Sequence, residues 1–323
     1  MTNSILAYQK YIGQEIEKLT IPSSPKNLYD PISYFLNIGG KRMRPVLTLM
    51  GCELFNADYK IAKHAALTVE LFHNFSLIHD DIMDEAPLRR GNETVHQKWN
   101  VNIGILSGDA LLIIAYQQLS KYEPSILAQL LPLINQTAIE VCEGQQYDMD
   151  FETKQDVSID QYLQMIKFKT AVLLGCSLKM GAIVGGANEN DANELYNFGV
   201  NLGIAFQLQD DILDVYADQD KFGKQVGGDI IANKKTYLLI KAFEDANSFQ
   251  KNELNLLILE QDLVKKVAAV KSLYSDLDIK SKTEQKMNDF YDIALQNLDA
   301  IQISNDKKQP LLDLAHFLMG REN

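Results

Sequence analysis

The sequence is short of the residues that staple small secreted domains and of those that punctuate β-structure. Among 323 residues there are 3 cysteines, and Cys52, Cys142 and Cys176 form no C-x-x-C pair. That excludes a disulfide framework or a zinc cluster and suits a reducing compartment. The 8 prolines stand at Pro22, Pro25, Pro31, Pro45, Pro87, Pro124, Pro132 and Pro310, so none falls in 133–309, and glycine is missing from 229–319. Many short strands would need Gly or Pro at almost every turn, so helices are the economical reading. Basic residues are in deficit, with 31 Lys and Arg against 43 Asp and Glu and a formal charge of -12. Such a chain has no broad basic face for a phosphate backbone, which excludes nucleic acid as a general partner. No apolar run reaches the roughly 18 residues of a membrane span. The best stretch, 171–186, carries Lys179 in its middle. The N-terminal residues read as an amphipathic helix and not as a signal peptide. A cytoplasmic protein with no membrane span is expected.

The hydrophobic fraction of 46% and charged fraction of 23% are ordinary globular values. Apolar residues recur at helical spacing, as in Leu67, Leu71, Phe75 and Ile78, or Leu163, Ile166, Thr170 and Leu174. Turn chemistry interrupts the pattern near 21–31, 87–92, 121–124, 185–190 and 218–233. None of these breaks has the composition of an interdomain linker, and no repeat of solenoid period is present. The expectation is an all-α fold with one domain over 1–323.

Two acidic segments carry the chemistry. Asp80-Asp81-Ile82-Met83-Asp84 and Asp210-Asp211-Ile212-Leu213-Asp214 each end an apolar-periodic helix. Helical spacing crowds each set of carboxylates onto one patch, at roughly 0.2–0.5 kcal/mol of repulsion per pair. The negative end of the helix dipole adds about 0.3–1 kcal/mol for each acid. A single such triplet is most simply a solvated face, but two copies behind apolar runs point to a cation. Carboxylate oxygens with room for water suit Mg²⁺ shared with substrate phosphates, and Ca²⁺ is the alternative. Cations stand nearby in sequence: Lys41, Arg42 and Arg44 after Gly39-Gly40, then Arg89-Arg90-Gly91, Lys167 and Lys169, Lys224, and Lys234-Lys235. Taken singly, Arg42 or Lys235 reads as a surface charge. Together they describe an anionic, phosphorylated substrate held between a divalent metal and cationic side chains.

These residues resemble the trans-isoprenyl diphosphate synthases, the polyprenyl synthetases that condense an allylic diphosphate with isopentenyl diphosphate. The resemblance runs from GGKRMRP at 39–45 through His73, the stretch 80–91, Gly108-Asp109, Glu143-Gly144-Gln145, Lys169-Thr170 and FQLQDDILD at 206–214. It continues to Gly223-Lys224, Gly228-Asp229 and Lys234 before Thr236. It implies an isoprenoid-synthase helical bundle around a central cavity, a homodimer, and acidic motifs that face each other. Position by position, Asp80, Asp81, Asp84, Asp210, Asp211 and Asp214 resemble the ligands of about three Mg²⁺ ions on the allylic diphosphate. Arg89, Lys169, Lys224 and Lys234 resemble the cations on that diphosphate. Lys41, Arg44, His73 and Arg90 resemble the site for isopentenyl diphosphate, although a lone His here, taken by itself, reads first as a satisfied core residue. Lys169, Thr170 and Gln207 resemble the catalytic set, with Thr170 and Gln207 facing a developing carbocation. The wording at 225–227 and at Asn233-Lys234 departs slightly from the commonest family pattern.

Chain length is read from the residues before the first motif. Phe75 lies five positions before Asp80, about 7.5 Å along the helix at 1.5 Å per residue, and Ser76 is its small neighbour. Bulk followed by a small residue resembles the short-chain geranylgeranyl diphosphate synthases, which gives a C20 product as the expectation and farnesyl (C15) as the alternative. Phe75 as plain core is the competing reading. Two other functions remain open: a class I terpene cyclase, and a non-catalytic helical subunit of a heteromeric synthase. The intact second acidic motif argues against the first, and the presence of all six aspartates against the second.

Overall fold

The computed structural model describes residues 3–55, 58–217 and 227–320. Helices dominate: α1 (Asn3–Glu17), α2 (Lys26–Asn37), α3 (Met43–Leu54), α4 (Lys63–Met83), α5 (Val95–Lys98), α6 (Val101–Leu119), α7 (Pro124–Thr153), α8 (Ile159–Ile166), α9 (Val172–Val184) and α10 (Glu189–Tyr216). After the undescribed 218–226 come α11 (Gly228–Ile231), α12 (Tyr237–Asp245), α13 (Ser248–Ile258), α14 (Leu263–Asp276), α15 (Ile279–Ala300) and α16 (Asn305–Met319). The all-α expectation holds with one small exception. Leu88–Arg89 and Asn92–Glu93 form an antiparallel hairpin. Its two central residues have positive φ, 52° at Arg90 and 76° at Gly91, the pattern of a tight hairpin turn.

Turns in the glycine-poor half are built by other means. Asn247 caps α13 through a reciprocal box with Gln250, Asp262 accepts from Lys265 N to start α14, and Asp278 takes φ 54° before α15. Prolines are also less disruptive than their chemistry suggests, since Pro31, Pro132 and Pro310 all lie inside helices. The expected breaks at 121–124 and 185–190 match the gaps between α6 and α7 and between α9 and α10.

Backbone proximity groups the chain into two compact units. The first comprises 1–135, 176–196 and 302–310. In it α4 packs on α3 and α6, while α2 lies against α6 and α1 against α3 and α4. This surrounds α4, whose residues from Ala65 to Phe72 are buried on every side. Helix α3 meets residues of α9 closely enough that a Cβ on Gly181 would come 2.0 Å from Thr48 O. The second unit comprises 136–175, 197–301 and 311–323. Its core joins Ile212 and Val215 to Ile230, Leu238, Leu254, Val270, Leu273 and Tyr274.

By length and composition one described helix, α7, is apolar enough to cross a bilayer, with 22% of its most apolar window buried. It is not the stretch 171–186, of which α9 is largely buried.

Candidate active site

Burial and pairing sort the first acidic segment into two kinds of carboxylate. Helix α4 ends at Met83 and Asp84 is its C-cap, so the acids do occupy a helix C-terminus. Asp81 is 1% exposed, and Arg89 from the hairpin grips it: Nε donates to both carboxylate oxygens at 2.8 Å and Nη2 lies 2.7 Å from Oδ1. Asp80 is half-buried and Asp84 exposed. The outer pair at i and i+4 is therefore the more accessible one.

Beside this end four arginines gather around one histidine. Arg42 forms an ion pair with the buried Glu70 and donates to Leu36 O at 2.7 Å. Asn74 Nδ2 shares Glu70, at 2.8 Å from Oε1. Arg44 Nη1 lies 3.0 Å from His73 Nε2. Burial, reinforced by Arg44, Arg90, Arg89 and Arg42, holds His73 well below the ordinary imidazole range. A neutral His73 beside an arginine donor must accept at Nε2, which puts its proton on Nδ1. Burial also pushes the Arg44 guanidinium down to about 10, and its Nε is buried without a hydrogen-bond partner. Gly39 and Gly40 have φ of 84° and 142°. Gly40 makes room for Arg90. A Cβ on Gly40 would lie 2.5 Å from Arg90 Nη1, which donates to Gly39 O. Lys41 is exposed.

The second acidic segment shows the same division. Asp211 is 4% exposed and accepts from Tyr162 Oη, from Tyr237 N at 3.4 Å and from Gln207 Nε2 at 3.5 Å. Burial pushes its carboxyl up to about 7 against those bonds. Asp210 and Asp214 are half-buried, and Asp214 Oδ2 accepts from Asp229 N at 2.9 Å. Among the described residues no three His, Cys, Asp or Glu side chains form a ready-made metal cage. Each end presents two more accessible carboxylates, oxygen donors of the kind a hard divalent ion takes.

Residues 25–277 match the polyprenyl synthetase family. The chain belongs to that family. As a polyprenyl synthetase it is a prenyltransferase enzyme. It is similar to the geranylgeranyl pyrophosphate synthase of Geoglobus acetivorans, 36% identical over 97% of each chain. Two solved structures are also similar. A geranylgeranyl pyrophosphate synthase is 45% identical, covers 100% of both chains and has a TM-score of 0.94. The geranylgeranyl pyrophosphate synthetase from Pyrococcus horikoshii is 35% identical over 98% of each, with a TM-score of 0.92.

The remaining sequence candidates of this polyprenyl synthetase are spread over several elements. Lys169 and Thr170 sit on a π-helical turn, Lys167–Ala171, between α8 and α9. Such a turn bulges the backbone, and single π turns often mark functional sites. Gly144 permits it, because a Cβ there would lie 2.2 Å from Lys169 N. Lys169 is paired with Asp148. Lys234 lies 4.0 Å from Asp229 and is 60% exposed at its side chain. Lys224 lies outside the described residues. Phe75 is half-buried, with its ring 5.6 Å from Phe72 and edge-on to His79 at 4.8 Å. Ser76 Oγ bonds back to His73 O at 2.9 Å.

Sequence reasoning passed over Glu70, Tyr162 and Asp148. Glu70 had a signal: a lone acid in the apolar run LTVELF, which burial would force into partnership with a cation. Arg42 is that cation and not a surface charge. Tyr162 had none, since its bond to Asp211 crosses 49 positions.

Proposed function

We propose that this prenyltransferase joins an allylic diphosphate to isopentenyl diphosphate and releases geranylgeranyl diphosphate. The carrying observation is the buried Arg44 Nε without a partner beside a neutral His73. A cation there is not neutralised by its histidine neighbour, so an anion is the natural occupant. We assign Lys41, Arg44, His73 and Arg90 to isopentenyl diphosphate. Arg89, Lys169, Lys224 and Lys234 are assigned to the allylic diphosphate, with Asp148 holding Lys169 in place until substrate binds.

Asp80 with Asp84, and Asp210 with Asp214, would hold Mg²⁺, about three ions per site. Bound there, Mg²⁺ neutralises charge on the leaving diphosphate. Asp81 and Asp211 support these pairs through Arg89 and Tyr162 and act from behind. Gln207 turns its amide N–H toward Asp211, which leaves its carbonyl oxygen, with the Thr170 hydroxyl, for the allylic cation. The isopentenyl double bond attacks that cation, and the released diphosphate takes the proton lost from the new chain. No protein nucleophile enters the reaction.

Phe75, braced by Phe72 and His79, supports a floor at C20, with the C15 product as the alternative. We further infer a single cytoplasmic domain that pairs as a homodimer. Exposed Val101, Ile105, Leu106 and Ile113 on α6 supply apolar surface of the kind such pairing needs. Incubating the protein with Mg²⁺ and isopentenyl diphosphate, with dimethylallyl diphosphate in one run and farnesyl diphosphate in another, tests the reading. Elongation supports it, a cyclic hydrocarbon indicates a terpene cyclase, and no turnover indicates a non-catalytic subunit.

A further inference from the structure

The second acidic end is held partly from outside its own helix, by backbone N–H groups of the segment 227–237. Gly227 N donates to Asp214 O at 2.6 Å, Asp229 N to Asp214 Oδ2 at 2.9 Å, and Tyr237 N to Asp211 Oδ2 at 3.4 Å. Donors fix a carboxylate only as well as they are fixed themselves. This segment has one short helix, Gly228–Ile231, and then passes through Asn233 at φ 54°. Asn is among the few side chains that accept that conformation.

Helix α14 lies behind the segment. Its Lys266 is 3% exposed, yet no carboxylate pairs with it among the described residues. Its Nζ donates to Asn233 Oδ1 at 2.6 Å, Ile231 O at 3.3 Å and Ile258 O at 3.4 Å. An ammonium has three donors, and here each reaches a different piece of chain: the end of α11, the left-handed residue, and the end of α13. Asn233 Nδ2 also donates to Ile258 O at 3.3 Å, so both ends of its amide are tied. The next residue, Val267, packs at the start of the segment, with Cγ1 3.0 Å from where a Cβ on Gly227 would sit. A buried charge with only neutral partners is an expensive way to stabilise a fold, and a methionine of similar length would fill the volume.

We propose that Lys266, acting through Asn233, is a positioning residue that latches the segment 227–237 so that its N–H groups hold Asp211 and Asp214 in place for the allylic diphosphate. The hydrogen bonds of Lys266 and Asn233 belong to this chain's own residues; their service to substrate rests on the function proposed for the second acidic end. Lys266→Met removes all three donors at nearly constant volume. Lys266→Arg keeps charge and donors, and a cavity of ≈ 20 Å³ lined by Lys266 and Asn233 leaves some room for the larger head. Asn233→Gly keeps the left-handed conformation but loses the acceptor.

Amide hydrogen exchange in metal-free protein reads the latch without reference to activity. Lys266→Met and Asn233→Gly should each speed exchange of 227–237 by about tenfold, with α4 unchanged, and the double variant should exchange no faster than Lys266→Met alone. In the assay both should raise the KM for the allylic substrate about tenfold while leaving that for isopentenyl diphosphate within about twofold, and Lys266→Arg should recover most of the loss. Unchanged exchange in 227–237 overturns the latch. Faster exchange with both KM values moving together overturns its role in positioning. Should wild-type protein fail to transfer prenyl groups, the exchange result still decides the latch. If Lys266→Met does not fold, Asn233→Gly carries both measurements.

Discussion

Replacing Asp211 by Asn should make the metal-free protein more stable, and increasingly so as pH rises from 4 to 8. Burial raises this carboxyl from an ordinary 3.8 to about 7. The folded state therefore binds a proton that the unfolded state has already released between those values. With more protons bound when folded, stability from this group is fully present below about 3.8 and is lost as pH rises toward 7. The displacement corresponds to about 4 kcal/mol at pH 8, at about 1.36 kcal/mol per tenfold change in proton affinity. Asn is neutral throughout and removes that loss. Its geometry also fits: the amide oxygen keeps Tyr162 and Tyr237, and the amide N–H₂ faces Gln207, which can rotate its own amide to accept. His73 works in the opposite sense, because its buried imidazole stays neutral and favours folding above its unfolded pKa, near 6.5. That contribution is common to both proteins and cancels in their difference. Urea denaturation in EDTA at four pH values between 4 and 8 gives the difference directly. An offset that stays flat with pH refutes the burial argument, and a less stable variant at pH 8 refutes it outright.

The other expectations concern the accessible groups. Asp80→Ala and Asp210→Ala should each lower kcat by about 10²–10³-fold, as for other lost electrostatic terms, and near wild-type turnover in either removes that end from the metal site. Arg44→Ala should raise the KM for isopentenyl diphosphate more than that for the allylic substrate, and Lys169→Ala the reverse; an inverted pattern swaps the two assignments. Glu70→Ala leaves Arg42 buried and unpaired, and urea titration should show a loss of about 3–5 kcal/mol. A loss under about 1 kcal/mol means that water reaches Arg42 readily. Phe75→Ala should lengthen the product and Ser76→Phe shorten it, as read by chromatography, while an unchanged distribution in Phe75→Ala makes Phe75 core.

What the sequence disclosed depended on the range of each interaction. Local periodicity and the absence of Gly and Pro were enough for the helices and for the acids at the end of α4. The hairpin at 88–93 escaped because it is only two residues deep on each side, although Arg90-Gly91 carries its turn signal. Turns at Asn247, Asp262 and Asp278 were invisible to a reading that looked for glycine. The six aspartates could be named, but not the separation into supporting and accessible ones. That separation comes from Arg89 on a hairpin and Tyr162 on α8, contacts no local pattern encodes. The departure at Asn233 acquires a physical reason only with φ 54° and Lys266 in view.

The most direct test of the account is the length of the product made by the wild-type protein with Mg²⁺, dimethylallyl diphosphate and excess isopentenyl diphosphate, resolved against C15, C20 and C25 prenyl standards. The account predicts a C20 diphosphate as the main product. A main product of any other length contradicts the assigned floor, and the absence of any elongated diphosphate contradicts the assigned reaction.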